Sequence, residues 1–231
     1  MSAVLGAAAL LMRTVRWSGF VAGVLVGTVV YATVGRAGFG LLALFFVFGS
    51  AVTRIGYRRK AAIEAAEAGG GARSILNVAG KGLVPVACGV TAFLLDRPSW
   101  CLVAYTSALA AALGDTTATE LGSLLGKRCR TVPGLKAVPP GTPGAVSLEG
   151  TALGAVAAAL LGTSAAAVGF VPWPAVWIVV VAAVVAGLWE SIERRIAGGL
   201  LPKQVLGPVL NLDMTLVAAA LGGVLWWWMG A

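Results

Sequence analysis

Six of the nine acidic residues lie in or beside apolar stretches long enough to cross a bilayer: Asp115, Glu120, Glu149, Glu190, Glu193 and Asp213. Charged side chains at membrane depth are costly, so they mark functional positions by default. The chain has no histidine, which narrows the chemistry. It can build no Ser-His-Asp triad, no histidine zinc site and no imidazole base. Cys88, Cys101 and Cys129 are scattered, odd in number and without a C-x-x-C pair. That argues against a disulfide framework or a thiolate metal site. A metal here would be held by carboxylates and other oxygen donors, which suits magnesium.

Asp115 and Thr119 are four apart on one helix face, as are Thr116 and Glu120. Asp115 and Glu120 are five apart, roughly 140° around a helix, so they face different neighbours unless the helix breaks. One can bind metal while the other holds another helix. A turn-rich segment, Pro139–Thr151, runs into the next apolar stretch. Gly141 and Gly144 there leave backbone N–H groups approachable. Thr142 and Ser147 add hydroxyls, and the helix N-terminus adds partial positive charge, a combination that favours phosphate. The Walker A order is absent, so this is not a P-loop. Lys127, Arg128, Arg130 and Lys136 precede it. They can pair with a polyphosphate or simply set membrane orientation.

The elements that must position these groups are membrane helices. Hydrophobic residues make up 59% of the 231 and charged residues only 11%, with a mean hydropathy of +0.93. Soluble domains carry about 25% charge. The expected fold is all-α: one polytopic transmembrane helix bundle over residues 1–231. Seven hydrophobic segments are predicted at Trp17–Val34, Gly38–Thr53, Ser74–Leu95, Ser99–Leu121, Ala145–Gly169, Pro174–Trp189 and Pro208–Met229. Residues 1–12 are too short to span and lack the basic start of a signal peptide; they are expected as a short N-terminal half-helix. Alternating the segments puts fourteen Lys and Arg residues on one side and only Arg36 and Arg97 on the other. The basic side is therefore the cytoplasm. The net charge of +8 is explained the same way, so nucleic acid is not an expected partner.

With this orientation five helices deliver polar groups to one level: Asn77 and Lys81, Asp115 to Glu120, Glu149, Glu190 with Glu193, and Asn211 with Asp213. Glu193, beside Arg194, reads as an interfacial residue facing water. Gly19, Gly23 and Gly27, four apart, read as a helix-packing strip. Trp226–Trp228 reads as an interfacial anchor at the outer end.

Two of these motifs resemble a known family. Asp115–Gly122 (DTTATELG) resembles the D-T-x-[SA]-[ST]-E-[IL]-G signature of domain-of-unknown-function family 92, the transmembrane protein 19-like membrane proteins. Val138–Thr151 (VPPGTPGAVSLEGT) is similar to that family's V-P-x-G-T-x-G-[AG]-V-S-x-x-G-T stretch. Glu190-Ser191 and Asn211–Asp213 fall where shorter family motifs lie. Asn77–Gly82 departs from the family pattern, with Lys81 where an amide is common, and the motif after Asp213 is incomplete. The family includes the phytyl-phosphate kinase of the vitamin E pathway. The resemblance implies transfer of a phosphoryl group from a nucleoside triphosphate, by analogy CTP, to a phytyl or other prenyl monophosphate.

The catalytic residues expected are Asp115, Glu120, Glu149 and Asp213. Asp115, Glu149, Glu190 and Asp213 are expected to hold Mg2+. Gly141, Thr142, Gly144, Ser147, Lys136, Lys81 and Asn77 are expected to bind the nucleotide or substrate phosphates. Two alternatives stay open: a cytidylyltransferase making a CDP-lipid from CTP, and a lipid transporter or scramblase without chemistry. The orientation itself is testable. In sealed vesicles a cysteine at position 142, in a chain freed of its native cysteines, should react with an impermeant reagent only from the cytoplasmic face. Labelling only from the opposite face inverts the topology.

Overall fold

The computed structural model describes residues 14–62 and 72–230, together with Ser2, Gly6 and Leu10. The expected N-terminal half-helix therefore falls almost wholly outside the described residues, as does most of the polar run after Lys60. Seven helices follow in order among the described residues: α1 Trp17–Arg54, α2 Tyr57–Ala62, α3 Ile75–Leu94, α4 Ser99–Leu125, α5 Leu148–Ala167, α6 Ala175–Ile196 and α7 Lys203–Trp228. Two short strands, β1 Arg130–Thr131 and β2 Ala145–Val146, pair antiparallel between α4 and α5. The all-α polytopic bundle expected from the sequence is the fold observed.

α1 is two spans. Gly35 interrupts it with φ 74° and ψ −163°, a conformation open to glycine and not to other residues. The chain doubles back there. The Tyr31 and Phe39 rings stand 5.9 Å apart, whereas eight residues of straight helix would separate them by about 12 Å. The arms, 17–34 and 36–54, match the first two predicted segments. Five helices (α1, α3, α5, α6 and α7) are long and apolar enough to cross a membrane.

The exception, α4, is the axis of the bundle. It packs against α1, α3, α5, α6 and α7, and it is buried without a break from Val103 to Gly114. A helix enclosed by protein has no lipid-facing stripe to keep apolar. It can therefore carry Thr106, Thr116 and Thr117, each donating its hydroxyl to the carbonyl four residues back at 2.8 Å.

Small residues let the neighbours approach. Gly114, Ala118 and Gly122 on α4 meet Gly150 and Gly154 on α5. A Cβ on Gly154 would lie 2.8 Å from the Gly114 carbonyl oxygen, and one on Gly150 2.9 Å from that of Ala118. Between α3 and α7, a Cβ on Gly80 would lie 2.5 Å from the Pro208 carbonyl oxygen. These backbone-to-backbone contacts drive association where lipid is as apolar as the helices. At the end opposite the basic loops, Tyr105 donates to Gly38 O at 2.8 Å and Arg97 to Thr33 O at 3.2 Å. The expected aromatic anchor is only partly one. Trp227 and Trp228 are exposed, but Trp226 is buried and donates its indole N–H to Ser99 Oγ at 3.1 Å.

Gly154→Val should destabilise the bundle by about 1–3 kcal/mol, the usual cost of overpacking. Gly187→Val, where no described atom lies within 4 Å of an added Cβ, should not. Detergent-solubilised melting temperatures of the two variants check this; equal values would remove the α4–α5 seam as a determinant of stability.

Candidate active site

The charged residues of the spans collect at the end that carries the basic loops. The sequence of α4 places Asp115 and Glu120 on different faces, and different partners meet them. Lys81, from α3, donates to Asp115 Oδ2 at 2.8 Å, to Thr116 Oγ1 at 2.7 Å and to Ala112 O at 3.4 Å. Thr119 donates to Asp115 Oδ1 at 3.4 Å. On the other face Glu120 pairs with Lys60 of α2. Lys60 is wholly buried and also donates to Thr53 O at 2.8 Å. Glu120 thus ties α2 to the central helix, while Asp115 ties α3 to it.

α6 adds Glu190, which pairs with Arg194 one turn later. Glu190 is buried and lies within reach of the charges of Asp115 and Lys81. Arg194 likewise acts on Asp115. Lys81, Asp115, Glu190 and Arg194 form one electrostatic group spanning α3, α4 and α6.

Glu193 and Asp213 form a second group. Their two negative charges lie close enough to repel one another. Asp213 also accepts from the Trp189 indole at 2.9 Å. Glu193 Oε2 is buried without a hydrogen-bond partner among the described residues. Glu193 is half-buried: it keeps contact with water, as expected of an interfacial residue, and its charge also faces that of Asp213 on α7.

The structure brings together neither the four expected metal ligands nor the expected phosphate loop. Among the described residues no three Asp, Glu, His or Cys side chains gather to hold a metal. Asp115 and Glu190 each have their own cation. Glu149 stands in the first turn of α5, where a negative charge is favoured by the helix dipole. It faces the β1 region: burial and the Glu149 charge together push the Cys129 thiol pKa up. Magnesium needs only one or two carboxylates when phosphates and water supply the rest. The Glu193–Asp213 pair, with an unpartnered buried oxygen, fits that requirement.

The Pro139–Thr151 segment is a folded clamp, not an open cradle. Thr142 N–H and its hydroxyl both close on Pro139 O, at 3.3 and 2.7 Å. Ser147 is buried and caps α5, accepting from Gly150 N at 3.1 Å. Gly144, with φ 71°, sits against the end of α6, where a Cβ would lie 2.7 Å from Ser191 O. Arg195 reaches back to donate to Pro133 O. Gly141 is exposed at φ 85°, and Lys136 is exposed on the outer side of the clamp. Asn77 closes a capping box with Ser74 at the start of α3.

Lys60, Arg194 and the Glu193–Asp213 pairing were not read from the sequence. The Glu190–Arg194 spacing of four carried a usable signal, since such pairs face each other on a helix. Nothing local marks Lys60, which lies 60 residues from its partner. Breaking that buried pair leaves an uncompensated charge, which costs about 3–5 kcal/mol. Glu120→Gln should therefore lower the melting temperature markedly, and Lys60→Met combined with Glu120→Met should recover part of the loss. Equal melting of the single variant and the parent would mean that the pair does not hold α2.

Comparison with known proteins agrees with this architecture. Residues 1–204 match the family described as Integral membrane protein DUF92. An uncharacterised membrane protein of Synechocystis is 34% identical over 72% of this chain and 65% of its own. An uncharacterised membrane protein of Methanocaldococcus jannaschii is 30% identical over 80% of this chain and 73% of its own. The chloroplastic protein VTE6 of Arabidopsis thaliana is 32% identical over 79% of this chain and 56% of its own. The chain thus spans under two thirds of the length of the Synechocystis and Arabidopsis proteins. No solved structure matches it. With its helical bundle, its DTTATELG and VPPGTPGAVSLEGT motifs and these relatives, the chain belongs to the DUF92 family of integral membrane proteins.

Proposed function

We propose that this protein is a membrane-embedded prenyl-phosphate kinase. It transfers the terminal phosphoryl group of a nucleoside triphosphate, CTP by family analogy, to phytyl or another isoprenyl monophosphate. The observation that carries the reading is the cluster of cations and carboxylates from α3, α4, α6 and α7 at one end of an otherwise apolar bundle. A lipid phosphate and a water-soluble nucleotide can meet at such a boundary. The relationship to VTE6, a chloroplastic protein, supports a role within that family. The excess of basic loop residues on the same side supports access from the cytoplasm.

The chemistry asks for no general base. The acceptor is a phosphate monoester whose second pKa is near 6, so its attacking oxygen is largely ionised at neutral pH. That oxygen bonds to the terminal phosphorus of the nucleotide. The bond to the bridging oxygen breaks, and the nucleoside diphosphate leaves with the electron pair. The protein positions the two phosphates and offsets their charge. Lys81, held by Asp115 and Thr116, stands ready as one cation, and Arg194, held by Glu190, as another. Glu193 and Asp213 would hold magnesium, which when bound draws charge from the phosphate oxygens. Lys127, Arg128, Arg130 and Lys136, all exposed beside the clamp, supply a field that attracts a polyphosphate.

The decisive assay combines purified protein, magnesium, labelled nucleotide and a panel of prenyl monophosphates. Formation of prenyl diphosphate and nucleoside diphosphate supports the kinase. A CDP-lipid with released pyrophosphate would move the protein to the cytidylyltransferases. Asp115→Asn should lower turnover at least a hundredfold, by misplacing Lys81, in a protein that still inserts and folds. Near-normal turnover of that variant at equal expression would remove Asp115 from the machinery.

A further inference from the structure

Of the three glycines on the first arm of α1, only two make close contacts. A Cβ on Gly19 would strike the Arg73 carbonyl, and one on Gly27 would lie 3.1 Å from the Phe39 ring. Gly23 is different: no described atom lies within 4 Å of an added Cβ, and the residue is exposed. Val21 and Leu25, two positions away on either side, are exposed on the opposite side of the helix, so Gly23 opens onto the same face as Phe20 and Val26. The packing reading holds for Gly19 and Gly27 and fails for Gly23.

Gly23 lies on the wall of an apolar cavity of about 110 Å³ bounded by the two arms of α1, the start of α3 and the N-terminal residues Ser2 and Gly6. Phe20, Phe39 and Phe45 are among its walls. Its charged lining residues are both cations, Arg73 and Lys81. The Arg73 guanidinium lies over the Phe45 and Phe46 rings, at 5.2 and 5.6 Å. Lys81 reaches from the cavity wall to Asp115. The pocket is therefore greasy along its length, with Arg73 beside its Gly19 end and Lys81 entering nearer Val26, and it is joined through Lys81 to the carboxylate cluster. From Gly19 to Gly27 it runs about 12 Å along the helix axis, at 1.5 Å per residue.

We infer that this cavity is the bed of the isoprenoid chain of the lipid monophosphate, with the phosphate at Lys81, beside the carboxylate cluster. This rests on the prenyl-phosphate reading above and adds where the acceptor lies. An apolar chain needs no partner but apolar surface, and its anionic head finds the only charges the cavity offers among the described residues. A bed of this length holds the units nearest the phosphate.

The test is photo-crosslinking, which needs no turnover. The full chain in phosphatidylcholine nanodiscs is exposed to a prenyl monophosphate that carries a diazirine in its second isoprene unit, and the labelled peptides are mapped. Label is expected within 19–27 and 39–46. It should be competed by unlabelled prenyl monophosphate, and the corresponding alcohol should label at least tenfold less. Gly23→Trp should reduce the label at least tenfold, and Gly23→Leu by a smaller factor, so the result does not hang on one bulky variant. Competable label elsewhere, for instance on the lipid-facing groove of Trp100, Ala219 and Trp227, overturns the cavity but leaves the prenyl-phosphate reading standing. Unchanged labelling in both Gly23 variants, whose added side chains project from the cavity wall, overturns the cavity as the bed. No competable label anywhere removes prenyl phosphate as a ligand, and the inference falls with it.

Discussion

A helix enclosed on all sides cannot leave a charge without a counter-charge, and α4 carries two. Taking a carboxylate out of water costs several kcal/mol even after relaxation, and only a well-placed cation with further hydrogen bonds offsets it. Asp115 and Glu120 therefore dictate where other segments must go. Asp115 requires Lys81, which fixes how far α3 is inserted and turned. Glu120 requires Lys60, which pulls the short helix α2 under the bundle although nothing else in α2 is buried. The ends of α1, α3 and α6 are arranged around these charges as much as around the hydrophobic contacts.

That arrangement depends on close backbone approach. With side chains at Gly114, Gly150 or Gly154, α4 and α5 would stand farther apart. Residues between Asp115 and Glu120 sit on this same seam: Ala118 O is the atom nearest a Cβ on Gly150. The DTTATELG motif is thus half packing surface and half charge carrier. Its small residues meet α5, and its acidic residues reach α3 and α2. A single stretch of eight residues serves both ends because a helix presents its sides at fixed angles.

The spans were legible because each apolar run is long and the links between them are short. Even the α1 hairpin could be read, since Gly35 and the basic Arg36 interrupt the hydrophobic run. The level of the polar groups was legible too, because membrane crossing leaves few options. Pairing was not. Lys60 read as one more loop cation, and only folding reveals that α2 turns it inward. Glu193 read as solvated because Arg194 follows it, yet Arg194 goes to Glu190, one turn back, and Glu193 is left for Asp213. Spacing alone separates the two candidates, since on a helix side chains four apart face each other and adjacent ones do not; adjacency in the sequence was the misleading cue. Gly23 failed for a related reason. A glycine every four residues describes a strip, but which strip members touch another helix depends on where that helix ends.

The Pro139–Thr151 segment shows how one composition can serve two different kinds of contact. Glycine, threonine and serine before a helix are what a phosphate cradle uses, and they are also what a tight clamp uses. Here the hydrogen-bonding capacity is largely committed internally: Thr142 to Pro139, Ser147 to Gly150, and Ala145 N–H to Thr142 O at 3.1 Å. Gly144 gives its missing side chain to the end of α6. The clamp therefore fixes the α6 end, and so the directions of Glu190, Glu193 and Arg194. Its free resource is the charge on its outer side, where Lys136 and Arg130 stay exposed. A nucleotide drawn there would be held by side-chain cations, which reach and adapt, more than by a rigid backbone nest. The rigid part of the site is then the pair of groups beneath it, where cations and carboxylates from four helices are fixed by one another.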